Sequence, residues 1–178
     1  MPASYFHSFA SPIGQLLLTS DGHHLTGVLM DARPPADAVA DPKPLAAAVE
    51  QLRAYFAGEL TRFDLPCLQD GTPFQRRVWE ELAAIPFGET LSYREVAERL
   101  RKPTAARAVG SANGRNQLAI VVPCHRVLAA GGLGGYGGGL WRKEWLLAHE
   151  QKGRATDLAR TPPAGYPPPL PPEPRRSR

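Results

Sequence analysis

The chain has two cysteines among its 178 residues, Cys67 and Cys124. This number is too small for a disulfide framework or for a four-cysteine zinc site. A single bridge between the two thiols is conceivable, but a reducing compartment disfavours it. At least one thiol is therefore expected to be available for chemistry.

Long hydrophobic segments and a recognisable leader are also lacking. No run approaches the roughly 18 apolar residues that a membrane-spanning helix requires, and the N-terminus shows no basic segment followed by an apolar one. The pair His23-His24 is the only pattern suggestive of a metal, and because no cysteine lies near it, an exposed hairpin pair is the simpler interpretation. These absences predict a cytoplasmic protein without a metal site.

Charge is distributed unevenly along the chain. Residues 1–72 contain 4 basic and 8 acidic residues, whereas residues 73–150 contain 11 and 7. Residues 151–178 contain 6 basic and 2 acidic residues, together with eight prolines. Positive charge concentrated on one part of a chain suggests a polyanionic partner, although a solvated basic surface is the simpler explanation of charge alone.

Residues 1–71 predict a small α/β domain. Turn residues at Ser11-Pro12 and Asp21-Gly22 separate three short apolar runs, as is typical of strands joined by tight turns. These runs are Tyr5–Phe9, Gln15–Thr19 and Leu25–Met30. Apolar residues at helical spacing between Asp41-Pro42 and Gly58 predict one helix, and a further strand is expected near Thr61–Leu65.

Residues 72–152 predict a mainly α-helical domain. Thr72–Gln75 and Ser92–Glu95 fit the capping box, in which a hydroxyl residue precedes Glu or Gln by three positions. Thr104 is expected to cap the next helix, from Ala105 to about Ala112. The two short helices that meet at this point predict a helix-turn-helix motif.

The chain is expected to end in a helix and a tail. A glycine-rich loop over 131–139 precedes the last predicted helix, at about Trp141–Glu150. The basic, proline-rich residues 153–178 are expected to be disordered.

Cys124 is followed directly by two residues that can influence a thiol, His125 and Arg126. A free thiol has a pKa of about 8.5, so a nucleophilic cysteine needs a base or a cation nearby. Adjacent residues of an extended segment point to opposite faces. A sharp turn or a bridging water is therefore required for Cys124 and His125 to act together, and an isolated cysteine is more often a core residue.

The helix at 104–112 has small side chains and a single central arginine, Arg107. Such a helix can approach a DNA groove closely, and its arginine can enter the groove or stack against bases. Tight packing against a neighbouring helix explains the alanines equally well.

Together, these segments resemble the O6-alkylguanine-DNA alkyltransferases. The matching segments, in that family's order and spacing, are Pro73–Trp79, Ile85–Gly88, Ser92-Tyr93, Ala106–Gly110, Pro123–Val127 and Lys143–Glu150. The match covers about 72–150, and Ser11–Gly14 and Leu25–Val28 extend it more loosely into the N-terminal part. The resemblance implies a ribonuclease-H-like α/β domain, then a mainly α-helical catalytic domain with a winged helix-turn-helix that binds DNA.

The implied activity is direct DNA repair. An alkyl group would pass irreversibly from O6-methylguanine in double-stranded DNA to Cys124, with O4-methylthymine as a further candidate substrate and no cofactor. His125 is similar to a base that acts through water, and Glu150 to the carboxylate that orients this histidine. Asn116 is similar to the residue that holds the active-site turn, while Gln117 departs from the proline often found next to it.

The resemblance further implies that the damaged nucleotide is flipped out of the duplex. Arg107 is similar to the arginine that fills the vacated stack, and Tyr93 to the tyrosine that aids proton donation to the departing guanine. Tyr136 and Val127 are assigned to the substrate pocket. The other expected DNA-contacting residues are Ala106, Ala108, Gly110, Thr104 and Arg115. A monomer is expected, and Cys67, which matches no family motif, is expected to be structural.

Three other functions compete with repair. A lesion sensor of the same fold would bind damaged DNA but lack the acceptor cysteine, and Cys124 argues against it. A regulator that signals through methylation of Cys124 would need a further domain for promoter recognition. A cysteine hydrolase would need an oxyanion hole, which no spacing here indicates.

Overall fold

The computed structural model describes residues 4–159. The strands are β1 (Tyr5–Ser11), β2 (Gly14–Ser20), β3 (Leu25–Met30), β4 (Val39–Ala40), β5 (Leu91–Ser92) and β6 (Val127–Leu128), and the helices are α1 (Ala46–Phe56), α2 (Pro73–Ala83), α3 (Tyr93–Arg99), α4 (Ala106–Gly114) and α5 (Leu140–Ala159). The predicted order of an α/β part followed by a helical part is confirmed. Among the described helices, none is both long and apolar enough to cross a membrane.

The N-terminal sheet is an antiparallel meander of β1, β2 and β3, with β4 added in parallel to β1. The predicted turn between β2 and β3 forms because the Asp21 carboxylate accepts from the amides of His23 and His24 at 2.8 and 2.7 Å. Gly22 in this turn has a φ of 98°, which glycine adopts without strain. One face of the sheet packs on α1 through a core that includes Leu16, Leu18, Val28, Leu45 and Leu52.

The predicted strand at Thr61–Leu65 is wrong. The segment is irregular, and only Cys67 beyond it forms an isolated bridge, with Leu25. The side chain of Gln51 on α1 binds both the amide and the carbonyl of Asp64, each at 2.8 Å. A side chain thus satisfies the backbone groups that a neighbouring strand would otherwise pair.

Both predicted capping boxes are present at the starts of α2 and α3. The hydroxyls of Thr72 and Ser92 accept from the amides three residues later at 3.2 and 3.1 Å. Helix α4 packs against α2 and α3, and the indole of Trp79 on α2 donates to the carbonyl of Ala112 at 2.9 Å. This hydrogen bond fixes α4 against the helical core.

The predicted cap at Thr104 is wrong. Helix α4 begins at Ala106, and no side chain caps it at the preceding residue, Ala105. The amide of Ala105 donates instead to the carbonyl of Lys102 at 2.8 Å, in a turn where Arg101 has a φ of 57°. A backbone turn therefore sets the start of α4, and Thr104 remains exposed.

Helix α5 is longer than the sequence predicted, because it continues to Ala159. Residues 153–159, expected to belong to a disordered tail, are helical, and the rest of that tail lies outside the described residues. In the added part of the helix, Arg154 donates to the carbonyl of Gly88 at 3.2 Å. Earlier in α5, Leu146 is fully buried in the core under the N-terminal sheet. Helix α5 thus packs on both parts of the chain.

A comparison of Ser92, which caps α3, with Thr104, which caps no helix, gives a direct stability test. Ser92→Ala is expected to lower the free energy of unfolding by about 1 kcal/mol, because it removes the cap of α3. Thr104→Ala is expected to change it by less than about 0.5 kcal/mol, because this hydroxyl caps nothing. Urea unfolding followed by circular dichroism measures both, and equal losses in the two variants would contradict the observed helix start.

Candidate active site

Cys124 is the first residue of a 3-10 turn, Cys124–Arg126. Its amide donates to the carbonyl of Val122 at 2.8 Å, and the amide of Arg126 donates to the carbonyl of Pro123 at 3.0 Å. The cysteine is buried, with 6% of its surface exposed. The backbone therefore makes a sharp turn at the point where an extended segment would have separated Cys124 from His125.

His125 is completely buried, and its two ring nitrogens have different surroundings. Nε2 lies 2.7 Å from Oε1 of Glu150, and because a carboxylate only accepts, Nε2 must carry the proton. Nδ1 has no hydrogen-bond partner among the described residues. Burial lowers the pKa of His125 against the opposing effect of Glu150. The ring is thus neutral, and the lone pair of Nδ1 is available to accept a proton.

Glu150 accepts hydrogen bonds from four residues. Oε1 accepts from His125, from the hydroxyl of Tyr55 at 2.7 Å and from Nη2 of Arg126 at 2.9 Å. Oε2 accepts from Nε of Arg126 at 2.8 Å and from the amide of Gly88 at 3.0 Å. The carboxylate therefore joins α1, the loop after α2, the 3-10 turn and α5 at one point.

The charge of Glu150 is stabilised in spite of its burial. Burial by itself raises the pKa of this carboxyl, but the hydrogen bonds from His125 and Arg126, with the charge of Arg126, outweigh that effect and hold the pKa well below its usual range. Arg126 also donates to the carbonyl of Ile85 at 2.6 Å. The carboxylate and the guanidinium thus satisfy each other inside the protein, the condition under which a buried ion pair is tolerated.

Asn116 bridges the two ends of the segment that precedes Cys124. Its Nδ2 donates to the carbonyl of Val122 at 2.8 Å, and its Oδ1 accepts from the amide of Leu118 at 3.0 Å. Gln117 follows Asn116 at the position where the family it resembles often has a proline. The carbonyl of Gln117 accepts from the amide of Val28 at 2.8 Å. The turn is therefore tied by Asn116 and by strand β3, without a proline ring.

The Cys124 thiol lies close to a buried cation. Burial raises the pKa of this thiol, while the Asn116 side chain and the charge of Lys143 oppose the rise. The ammonium of Lys143 donates to the carbonyls of Val127 and Leu133 at 2.6 and 2.5 Å. The resting thiol is thus protonated, and a positive charge is already placed to stabilise the thiolate once a base removes the proton.

Cys124 opens into a pocket of about 440 Å³. The walls of the pocket come mainly from β3 and the residues that follow this strand, from α4 and from the glycine-rich loop. The lining residues besides Cys124 are Val28, Leu29, Met30, Ala32, Tyr93, Gly110, Asn113, Gly114, Asn116, Ala119, Gly135, Tyr136, Gly137 and Gly138. The Tyr136 hydroxyl is buried beside Cys124 and has no nitrogen or oxygen partner among the described residues. Burial raises the pKa of Tyr136, and the nearby Cys124 raises it further, so this hydroxyl remains a donor available to a ligand.

The wall opposite α4 is held by Arg142. Its guanidinium donates to the carbonyls of Ile13 and Gly138, each at 2.7 Å, and pairs with Asp31 at 2.7 Å. Gly138 lies directly against the sulfur of Met30, so a side chain at position 138 would overlap it. Arg142 therefore fixes the N-terminal domain and the glycine-rich loop to each other where they enclose the pocket.

The expected DNA-contacting residues lie on the outer side of α4 and beside it. Arg107, Ala108 and Arg115 are exposed, and Ala106 and Gly110 are half-buried. A methyl group at Gly110 would lie 3.8 Å from the ring of Tyr93, an ordinary van der Waals contact. Because Gly110 and Gly114 also line the pocket, the pocket opens beside this exposed helix face.

Three residues that the sequence singled out are not part of the pocket lining: Val127, Cys67 and His24. The side chain of Val127 is fully buried in the helical core and is not part of the lining, so its assignment to the pocket wall is corrected. Cys67 is exposed and unpaired with Cys124. The ring of His24 binds Asp21 at 3.0 Å, and no cluster of three or more potential metal ligands occurs within residues 4–159.

Several site residues were missed by sequence reasoning. Tyr55, Gly88 and Lys143 contact the site from distant positions, and Arg126 was seen only as a cation next to Cys124. Gly88, Arg126 and Lys143 fall within the segments that carry the family resemblance. Tyr55 carries no such signal, because its place in the helical pattern of α1 is that of an ordinary core residue.

Glu150→Gln is expected to lower the free energy of unfolding by about 3–5 kcal/mol, because it leaves Arg126 buried without a charge partner. Since the folded-state pKa of Glu150 is depressed, its contribution is present above a pH of about 4.5 and is lost progressively below that pH. The variant should therefore show a weaker acid dependence of stability than the parent protein. Urea unfolding from neutral to acidic pH measures both effects.

Glu144→Gln is the matched control, because Glu144 is exposed on the same helix. Its unfolding free energy should stay within about 0.5 kcal/mol of the parent value. A Glu150→Gln protein as stable as this control would show that the buried carboxylate does not hold the site together.

Two family models match the chain, the 6-O-methylguanine DNA methyltransferase ribonuclease-like domain over residues 4–68 and the DNA binding domain of the same family over residues 73–152. A methylated-DNA–protein-cysteine methyltransferase of Mycobacterium tuberculosis is 49% identical over 159 residues, covering 86% of this chain and 96% of the relative. The corresponding protein of Methanosarcina acetivorans is 47% identical over 152 residues, covering 82% and 97%.

Solved structures agree with these matches. The crystal structure of Mycobacterium tuberculosis O6-methylguanine methyltransferase has a TM-score of 0.81 at 48% identity, covering 88% of this chain and 98% of that protein. The structure of Mycobacterium tuberculosis OGT in complex with DNA has a TM-score of 0.80 at 50% identity, covering 84% and 94%. With both of its domains matched in order, the chain belongs to the 6-O-methylguanine DNA methyltransferase family.

Proposed function

We propose that this protein is a methylated-DNA–protein-cysteine methyltransferase that repairs O6-alkylguanine in double-stranded DNA by accepting the alkyl group on Cys124. The observation that supports the proposal most strongly is that three features lie together at one pocket. A buried thiol lies at the pocket, a neutral histidine with a free Nδ1 follows it in the same turn, and the pocket opens beside a basic helix. The names of the relatives supply the reaction class.

The reaction begins with removal of the thiol proton. The proton passes from Sγ of Cys124 to Nδ1 of His125 through a water molecule, and Glu150 stabilises the imidazolium that forms. The thiolate attacks the alkyl carbon, a carbon–sulfur bond forms, and the carbon–oxygen bond breaks with its electron pair moving onto guanine. Lys143 stabilises the thiolate until the attack.

The departing guanine needs a proton, and Tyr93 is the donor we assign. Its ring lines the pocket, and burial together with the charge of Cys124 raises the pKa of its hydroxyl. The hydroxyl is therefore protonated when the base leaves. The thioether formed on Cys124 has no ready leaving group, so each molecule acts once and needs no cofactor.

The burial of Cys124 favours a reaction in which the damaged nucleotide leaves the duplex. The thiol is buried, and O6 of a stacked guanine lies within the major-groove edge, so the two cannot meet while the base stays paired. The small residues on the outer face of α4 permit a close approach to a groove, and we assign to the exposed Arg107 the filling of the vacated stack. Tyr136 then offers its hydroxyl to the extrahelical base.

Acceptance of O4-methylthymine, a monomeric state and a cytoplasmic location stay predictions.

Intact-protein mass spectrometry after incubation with a duplex containing one O6-methylguanine tests the assignment. A gain of about 14 Da, one methyl group in place of the thiol hydrogen, is expected on Cys124 and should saturate at one per protein. Cys124→Ser is expected to gain no mass while still binding the duplex, and Cys67→Ser should behave like the parent protein. Tight lesion binding without any mass gain in the parent protein would favour a lesion sensor instead.

Arg107→Ala separates base flipping from alkyl transfer. It is expected to slow repair of a duplex lesion by about tenfold or more, since flipping costs a few kcal/mol and loses its replacement in the stack. The reaction with free O6-benzylguanine, where that base is accepted, should be nearly unchanged, because no nucleotide is flipped. Single-turnover rates on both substrates measure the difference.

Arg115→Ala is the control for Arg107, since it removes an exposed charge from the end of the same helix. Its effect on duplex repair is expected to be smaller and to depend on salt, as for a backbone contact. Equal losses on the duplex and on the free base for Arg107→Ala would contradict the flipping role.

A further inference from the structure

The catalytic carboxylate receives a hydrogen bond from the other domain. Tyr55 lies on α1 of the ribonuclease-like domain and is completely buried. Its hydroxyl donates to Oε1 of Glu150 at 2.7 Å, although the two residues are 95 positions apart. This oxygen is the same atom that accepts the proton of His125 Nε2.

We propose that Tyr55 is a positioning residue that sets the basicity of His125 through the shared oxygen of Glu150. The inference rests on the proposed function for its consequence in alkyl transfer. Its physical basis is a feature of the folded protein that exists without any substrate.

Three donors share Oε1 of Glu150. They are the Tyr55 hydroxyl at 2.7 Å, His125 Nε2 at 2.7 Å and Arg126 Nη2 at 2.9 Å. A carboxylate oxygen that serves several donors interacts less strongly with each of them. Removal of the Tyr55 hydroxyl would therefore strengthen the bond to His125 and stabilise its protonated form, so that the ring would bind a proton at higher pH.

The ring of Tyr55 is held so that its hydroxyl has one position. Its aromatic neighbours, at centroid distances of 5.2 to 6.1 Å, are Phe56, Phe63, Phe87 and His149. The ring of His149 also donates to the backbone carbonyl of Tyr55 at 2.7 Å. A phenylalanine at position 55 would keep these ring contacts and lose only the hydroxyl, which makes the substitution a clean probe.

Within the described residues, few charged or titratable groups surround His125 and Tyr55. Glu150 and Lys143 on α5 and Arg126 in the same turn face His125. Around Tyr55, the corresponding groups are Glu150, Arg126, Tyr136 and the ring of His149. Only the Tyr55 hydroxyl among them comes from the N-terminal domain and reaches the carboxylate. It is thus the group through which that domain can alter the histidine.

Tyr55→Phe tests the inference with two measurements on the full chain. The first is a nitrogen-15 NMR titration of the His125 ring in the unreacted protein, with His149 assigned separately. The midpoint of His125 is expected to move to higher pH by about half a unit to one unit. The second is the single-turnover rate of methyl transfer from a lesion duplex, whose fall on acidification should move in the same direction.

Phe63→Leu is the matched control, because it disturbs the same aromatic cluster without touching Glu150. It is expected to lower the melting temperature and leave the His125 midpoint unchanged. A second probe, 3,5-difluorotyrosine at position 55, keeps the hydroxyl as a stronger donor and should move the midpoint to lower pH. This probe also keeps the test open if Tyr55→Phe does not fold.

An unchanged midpoint in Tyr55→Phe, or an equal shift in Phe63→Leu, would overturn the inference and leave Tyr55 as a core residue. The NMR titration does not depend on repair. If the parent protein takes no methyl group from DNA but Tyr55→Phe still shifts the midpoint, the proposed function fails while the role of Tyr55 stands.

Discussion

The carboxylate of Glu150 is the interaction on which the site depends. It joins α5 to three other parts of the chain, which together contribute four donor residues: Tyr55, Gly88, His125 and Arg126. A single buried charge with all of its lone pairs occupied has a narrow range of allowed geometries. The orientation of His125, and with it the free Nδ1, follows from where this carboxylate is held.

The electrostatics of the site are arranged around a neutral resting state. Burial disfavours charge on both Cys124 and His125, so a thiol and a neutral imidazole coexist until a substrate enters. Lys143 donates to backbone carbonyls rather than to a carboxylate, so no carboxylate neutralises its ammonium near the thiol. Burial lowers the pKa of Lys143, and the neighbouring Cys124 opposes that shift. The site thus favours the thiolate through fixed charges while avoiding a permanently reactive one. This arrangement suits a protein that reacts once.

Sequence patterns predicted those features that depend on local chemistry. The capping boxes at Thr72 and Ser92 form because hydroxyl and acceptor lie within one turn of helix, whereas Thr104 fails because a backbone turn at Arg101 decides where α4 begins. The strand near Thr61–Leu65 fails because the side chain of Gln51, far away in sequence, takes its backbone groups. Cys124, His125 and Glu150 could be identified from family motifs, but Tyr55 could not, because its hydroxyl has a partner only once the domains pack.

The N-terminal domain is therefore part of the site and not a separate support for it. Met30 and Ala32 line the pocket on one side, and Arg142 binds Ile13 and Asp31 to the loop that carries Tyr136. On the other side, Tyr55 donates to the carboxylate of Glu150. Arg142 and Glu150, which make these two contacts, both lie on α5. A small displacement of one domain would therefore change the pocket wall and the environment of His125 together. The shape of the pocket and the environment of His125 are thus coupled through one helix.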